Sequence, residues 1–321
     1  MTEQIVSLRS VERIADAFED VDLTVVPKQQ YTDDELIAHA EGASGLFVHS
    51  ENQYTSALFE ASPDLRVIGR PGSGLDNIDL DAATANDIAV VFTPGMNAIA
   101  VAEFVVGRVI SHIREFEAAA NHVQEGGWRS PDWWGTELRE KTVGVVGLGA
   151  AGYETAKRLE PFGVDFLVAD PYVDQSRVDE IGGRLVDRED LLAESDFVSL
   201  HVRLTEETTH MIDAAAFDRM KESAVLINTA RGRVVDHDAL VEALKNDRIG
   251  GAVIDVYPSE PPEPTDPIFD CENASVTPHL AGATVETRTR MLRTTAENML
   301  AVLGGRDVDP QFVANPAIFD Q

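Results

Sequence analysis

The chain has 321 residues, 44% of them hydrophobic, which is enough to fill roughly two domains with apolar cores. It contains no run of the ~18 apolar residues that a membrane helix requires, and its 56 acidic against 26 basic residues, a formal net charge of -30, argue against nucleic acid and membrane surfaces as partners. A single cysteine, Cys271, excludes an intramolecular disulfide and a cysteine-built zinc cage, and no metal site is expected.

From the N-terminus, MTEQIVSLRS has neither the basic start nor the apolar run of a secretory signal, so a cytoplasmic location is expected. Segments 45–48, 65–68 and 89–92 read as short strands, and 33–40, 56–61 and 80–86 as helices between them. A longer apolar-periodic stretch over 99–123 predicts one continuous helix. Residues 126–137 hold all three tryptophans together with Gly and Pro; they read as a loop without an assigned role. Beyond it, 142–146, 165–169, 196–200, 224–228 and 252–256 are β-branched runs without alternation, as expected of parallel strands buried on both faces. Helical patterns at 152–162, 178–181, 188–194, 214–220 and 236–246 fall between these strands, which is the alternation of a doubly wound sheet. Residues 258–267, PSEPPEPTDP, are rigid and irregular, and 284–303 read as a helix stopped by Gly304 and Gly305. The acidic residues are spread along the chain and form no tail, which predicts an acidic folded surface and a protein whose stability rises with salt.

The run Gly147-Leu148-Gly149-Ala150-Ala151-Gly152 follows the strand TVGVV and opens a helix, the context in which G-x-G-x-x-G binds a dinucleotide. Gly147 allows the tight turn, Gly149 allows the backbone to approach a pyrophosphate, and Gly152 allows close packing of helix on strand. Asp170 closes the next strand, where a carboxylate accepts hydrogen bonds from ribose hydroxyls and repels a 2′-phosphate, so NAD is expected over NADP. Further on, Arg231 ends a strand, Glu260 lies in Asp255-Val256-Tyr257-Pro258-Ser259-Glu260-Pro261, and His279 lies in Thr277-Pro278-His279-Leu280-Ala281-Gly282. A cation to hold a carboxylate and polarise a keto oxygen, plus an acid that titrates near neutrality, suit reduction of a 2-keto acid.

These segments, with Gly147–Gly152 and Gly72-Ser73-Gly74-Leu75-Asp76-Asn77-Ile78-Asp79, resemble the D-isomer-specific 2-hydroxyacid dehydrogenases, the family of phosphoglycerate, glycerate and hydroxypyruvate dehydrogenases. The resemblance runs from about Val48 to Thr287. It implies two doubly wound, Rossmann-like α/β domains with parallel sheets, separated by a cleft. A dinucleotide-binding domain would span 98–289, and a substrate domain would join 1–97 to 290–321. It implies His279 as general acid and base, Glu260 as its carboxylate partner, and Arg231 as the substrate-carboxylate ligand. The amides of Ser73 and Gly74 would bind substrate. Ala150, Ala151, Thr229, Ala230, Asp255 and Gly282 would line the cofactor with the glycines and Asp170. A small 2-keto or 2-hydroxy acid as substrate and a homodimer are also implied. The alternative on the same fold is an NAD-sensing, non-catalytic binding protein of the corepressor kind.

Three positions depart from the family pattern. Relatives acting on 3-phosphoglycerate place arginine near His49 and Glu51, where Glu51 here would repel a phosphate, although Arg70 is at hand to offset it. Arg203 stands where proline is usual and offers charge near the expected cofactor, which would loosen the preference for NAD. Glu260 replaces the glutamine of the formate dehydrogenase branch and argues against formate. The family's C-terminal regulatory domain is not expected after residue 321.

Overall fold

The computed structural model describes residues 3–129 and 134–319. The chain divides into two compact units, Met1–Asn97 with Thr284–Gln321, and Ala98–Ala283. Each is a parallel sheet with helices on both faces, the α/β architecture expected from the unalternating strands.

In the first unit the strands are β1 (Gln4–Ser7), β2 (Asp22–Val25), β3 (Gly45–Phe47), β4 (Val67–Arg70) and β5 (Ala89–Phe92). They pair in parallel in the order β2-β1-β3-β4-β5. The helices α1 (Asp33–Ala40), α2 (Ser56–Ala61) and α3 (Leu80–Ala85) connect them, and a capping box between Thr32 and Glu35 starts α1. Side chains alternate between the sheet's faces. Val6, Leu46, Ile68 and Val90 join the core containing Leu36, Leu58 and Phe59. Ile5, Phe47, Val67 and Val91 face the other way.

The second unit opens with α4 (Ala98–Ile113) and α5 (Phe116–Gln124). Where the sequence predicts one helix over 99–123, Glu115 adopts φ +51° and divides it. On α4, Val101, Val105 and Val109 are buried at four-residue spacing, whereas α5 buries no side chain. The strands are β6 (Thr142–Val146), β7 (Asp165–Ala169), β8 (Arg184–Leu185), β9 (Phe197–Leu200), β10 (Val225–Asn228), β11 (Gly251–Ile254) and β12 (Ala274–Val276). Between them lie α6 (Ala150–Leu159), α7 (Gln175–Asp179), α8 (Arg188–Glu194), α9 (Ala214–Arg219) and α10 (His237–Lys245). Asp213 and Asp236 cap α9 and α10 through their carboxylates. The sheet order β12-β11-β10-β9-β6-β7-β8 reverses direction between β6 and β9, the point at which open α/β sheets bind ligands beyond the strands' carboxyl ends.

The chain then returns to the first unit as α11 (Val285–Leu303), capped by Thr284, whose Leu292, Ala296 and Met299 cover the second face of the five-stranded sheet. Among the described residues no helix is long and apolar enough to cross a membrane. Of the tryptophan-rich segment 126–137, residues 130–133 lie outside the described ones.

Candidate active site

The glycine run occupies the turn between β6 and α6. Gly147 has φ +91°, and a Cβ there would lie 2.8 Å from the carbonyl oxygen of His201, so only glycine fits. A Cβ on Gly152 would lie 2.2 Å from the Gly147 carbonyl oxygen, and this close approach seats α6 on the loop. Gly149 is the N-cap of α6, and nothing lies within 4 Å of where its Cβ would stand. Ala150 and Ala151 form the first turn of the helix. Asp170 follows β7, and its two oxygens accept from the amides of Leu148 at 2.7 Å and Tyr172 at 2.9 Å. The acid and the glycine loop therefore hold each other.

A second group forms at the carboxyl ends of β10, β11 and β12. The buried Asn228 clasps the turn after β10: its Oδ1 accepts from the Ala230 amide, and its Nδ2 donates to the Arg231 carbonyl, both at 3.0 Å. Gly232 lies so close to β11's following loop that a Cβ would sit 2.0 Å from the Tyr257 carbonyl carbon. Glycine at 232 thus lets the Arg231 turn press against the segment carrying Glu260. The Arg231 guanidinium donates to the Ala230 carbonyl at 2.7 Å.

Asp255 is fully buried and anchors the loop after β12. Its carboxylate accepts from Thr277 Oγ1 at 2.6 Å and from the amides of Leu280 and Ala281, each at 2.8 Å. Its carbonyl accepts from the His279 amide at 2.8 Å. Between these anchors His279 takes φ +54°, a left-handed conformation unusual for a side chain of its size. Its Nδ1 lies 2.6 Å from Glu260 Oε2, while Glu260 Oε1 accepts from the Tyr257 amide at 3.1 Å. Burial pushes the Glu260 pKa up, but the hydrogen bond and charge of His279, the Tyr257 amide and the Arg231 charge outweigh it and hold the carboxyl below its usual range. An ionised carboxylate, an imidazole and a guanidinium are thereby gathered at one edge of the sheet.

The sequence profile of the family described as D-isomer specific 2-hydroxyacid dehydrogenase, NAD binding domain, matches residues 106–281. The chain belongs to this family. Among its relatives, the D-3-phosphoglycerate dehydrogenase of Archaeoglobus fulgidus is 38% identical over 286 residues, 89% of this chain and 54% of the relative. A glyoxylate reductase of Thermofilum pendens is 40% identical over 283 residues, 85% of this chain and 82% of the relative. The chain thus spans about half the length of that phosphoglycerate dehydrogenase and most of the glyoxylate reductase. The crystal structure of a D-lactate dehydrogenase from Aquifex aeolicus, complexed with NAD and lactic acid, aligns with a TM-score of 0.87 at 26% identity, covering 98% of this chain and 99% of that one.

The second unit suits NAD at two further points. Open space in front of Gly149 leaves room for a pyrophosphate at the amino end of α6, whose amides and dipole favour an anion. Thr229 Oγ1 is buried without a hydrogen-bond partner among the described residues, a polar atom that a bound cofactor would satisfy. Ala230 follows Thr229 in the turn after β10, and Gly282 follows Ala281 in the loop after β12. Ser73 and Gly74, in the first unit, follow β4, and their backbone amides donate no hydrogen bond within the described chain. The Ser73 hydroxyl bridges Asn97 Oδ1 at 3.1 Å and the Gly95 amide at 3.1 Å, which fixes that turn. Among the described residues no group of three or more His, Cys, Asp or Glu could hold a metal ion. Sequence reasoning overlooked Asn228 as the clasp of the Arg231 turn and Asp255 as the anchor of the His279 loop. The signal was available, since an Asn at the end of a buried strand and an Asp directly after one need partners.

Proposed function

We propose that the protein interconverts a small 2-keto acid and the D-2-hydroxy acid with NAD. The observation that carries this reading is the His279–Glu260 hydrogen bond beside Arg231, on a glycine-loop α/β unit. The cofactor, when held by the glycine loop, Asp170 and Thr229, would provide the hydride chemistry at the keto carbon in either direction. Arg231 holds the substrate carboxylate and polarises the keto oxygen, a task for which the forked guanidinium is suited. His279 delivers a proton to the oxygen that becomes the hydroxyl, and removes it in oxidation. With Nδ1 engaged by Glu260, Nε2 is the nitrogen left for substrate. The carboxylate stabilises the imidazolium and fixes the ring. The amides of Ser73 and Gly74 are further candidate ligands for the substrate carboxylate, and Asp170 favours NAD by accepting from the adenosine ribose.

The protein acts as a homodimer in this reading. Support comes from α5 and the segment after it, where Phe116, Val123, Trp128 and Trp134 expose large apolar surface.

The test is NADH oxidation followed at 340 nm in molar KCl, with glyoxylate, hydroxypyruvate, pyruvate and longer 2-keto acids, and with NADPH in parallel. Turnover with at least one of them, faster with NADH, is expected. NADH binding without turnover of any of them would overturn the enzymatic reading in favour of a sensing protein.

A further inference from the structure

The segments that carry Arg231 and Glu260 meet twice. Close to the strands, Gly232 presses on the Tyr257 carbonyl. Farther out, His237 opens α10 six residues after Arg231, and Asp266 caps the short 3-10 turn Pro267–Asp270 six residues after Glu260. There His237 Nε2 lies 2.8 Å from Asp266 Oδ1, with the two side chains only 19% and 13% exposed. The same oxygen accepts from the Ile268 amide at 3.0 Å, so His237 Nε2 is the donor in the pair.

Residues 258–267 include five prolines, which fix φ and offer no amide to donate. Among the described residues, 258–266 make no backbone hydrogen bond to any segment beyond their immediate flanks; the Asp266 amide donates locally, to the Glu263 carbonyl at 2.9 Å. Side-chain hydrogen bonds join the stretch to distant parts of the described chain at two points: Glu260 to His279 and Asp266 to His237. The His237 end is anchored. The Asp236 amide donates to the Ile212 carbonyl at 2.9 Å, the Asp236 carboxylate accepts from the Ala239 amide at 3.1 Å, and Val234 and Val235 are buried. Packing alone does not call for a polar pair at this place, because the fully buried Ile268 already seats the far end of the stretch. A hydrogen bond adds direction, which an apolar contact lacks.

We infer that His237 and Asp266 are positioning residues: their hydrogen bond sets the stiff stretch 258–266 so that Glu260 meets His279 Nδ1. The inference rests on the proposed reaction for its effect on rate, whereas the clamp itself is a property of the fold. His237 touches none of Arg231, Glu260 and His279 by hydrogen bond, and acts through the chain between Asp266 and Glu260.

The experiment measures single-turnover NADH oxidation, with whichever 2-keto acid of the panel reacts fastest, in wild type, His237→Ala, His237→Gln, Glu260→Gln and the double variant His237→Ala with Glu260→Gln. The alanine removes the donor, and the glutamine keeps an N–H close to the place of Nε2. His237→Ala should lower the rate roughly three- to tenfold, within the loss that a small misplacement at the reacting centre produces. NADH affinity, read by fluorescence titration, should stay the same, and His237→Gln should recover most of the rate. In the Glu260→Gln background the alanine should change the rate by about twofold or less, because the group it positions is already altered. An undiminished effect in that background, or a wild-type rate in His237→Ala, would overturn the inference. Amide exchange followed by NMR gives a readout independent of turnover. The Tyr257 amide, which donates to Glu260, and the Asp266 and Ile268 amides should exchange roughly fivefold to tenfold faster in His237→Ala, the effect of losing one hydrogen bond. Unchanged exchange in β10 and β11 shows that the fold is kept, and unchanged exchange at Tyr257 as well would mean that the pair does not hold Glu260. If no keto acid is turned over, the proposed reaction fails, while the exchange rates still decide for or against the clamp.

Discussion

His279 is held at φ +54°, a conformation that costs about 1–3 kcal/mol and persists only where the surroundings enforce it. Asp255 enforces it from both sides, by accepting the His279 amide at its carbonyl and the next two amides at its carboxylate. The gain is a fixed imidazole with Nδ1 on Glu260. Replacing His279 by Ala should lower kcat by roughly 10²–10⁴, the usual worth of a positioned acid–base group, while NADH titration shows binding retained. Glu260→Gln removes one charged hydrogen bond and should lower kcat at neutral pH by roughly ten- to hundredfold. Because Glu260 in the folded protein ionises below the usual carboxylate range, the gap between wild type and Glu260→Gln should persist well into acid. It should close only as pH falls through that lowered value and Glu260 takes up its proton. A pH–rate series on both proteins checks this; a gap that closes near neutrality would show that the charge of Glu260 is not what His279 uses.

At the scale of elements, the approach of the Arg231 turn to the loop after β11 is what makes three separate strand ends one site. It depends on the missing side chain at Gly232. Gly232→Ala would place a Cβ 2.0 Å from the Tyr257 carbonyl carbon, and one of the two loops must move. Such overpacking costs roughly 1–3 kcal/mol. The expected result is a modest fall in stability to urea and a larger fall in kcat/KM, because the moving loops carry Arg231 and Glu260. A variant as active as wild type would mean that this packing does not set the site. Elements also mark what was legible in the sequence. The buried strands β6, β7, β9, β10 and β11 could be read directly, because runs apolar on both faces leave little else for the chain to form. β2 is mostly exposed, β8 has two residues, and β12 is only half-buried, so none carries that pattern. β1 is buried, but only Ile5 and Val6 of its four residues are apolar, flanked within the strand by Gln4 and Ser7, so it shows no apolar run. The break at Glu115 was invisible because apolar spacing continues across it, and only the backbone turn divides α4 from α5. Arg231, Glu260 and His279 could be picked out by resemblance.

For the whole molecule, charge governs the behaviour of everything outside the cores. The chain carries a net charge of -30, and its ion pairs are largely on the surface, such as Lys157–Glu160, Arg177–Glu180 and Arg184–Glu194. Exposed pairs of this kind contribute roughly 0–1 kcal/mol each. Salt weakens those attractions, but with 56 acids against 26 bases it weakens more repulsions than attractions, so the net effect is stabilising. Screening shortens the Debye length from about 10 Å at 0.1 M to about 3 Å at 1 M and changes little thereafter. We therefore expect the melting temperature to rise by several degrees between 0.1 and 1 M KCl and to flatten above that. A thermal series in KCl separates the possibilities. A flat response would remove salt adaptation as the reason for the acidic surface. A rise that continues linearly to 3 M would point to exclusion of salt from the surface, because screening is already complete at that concentration.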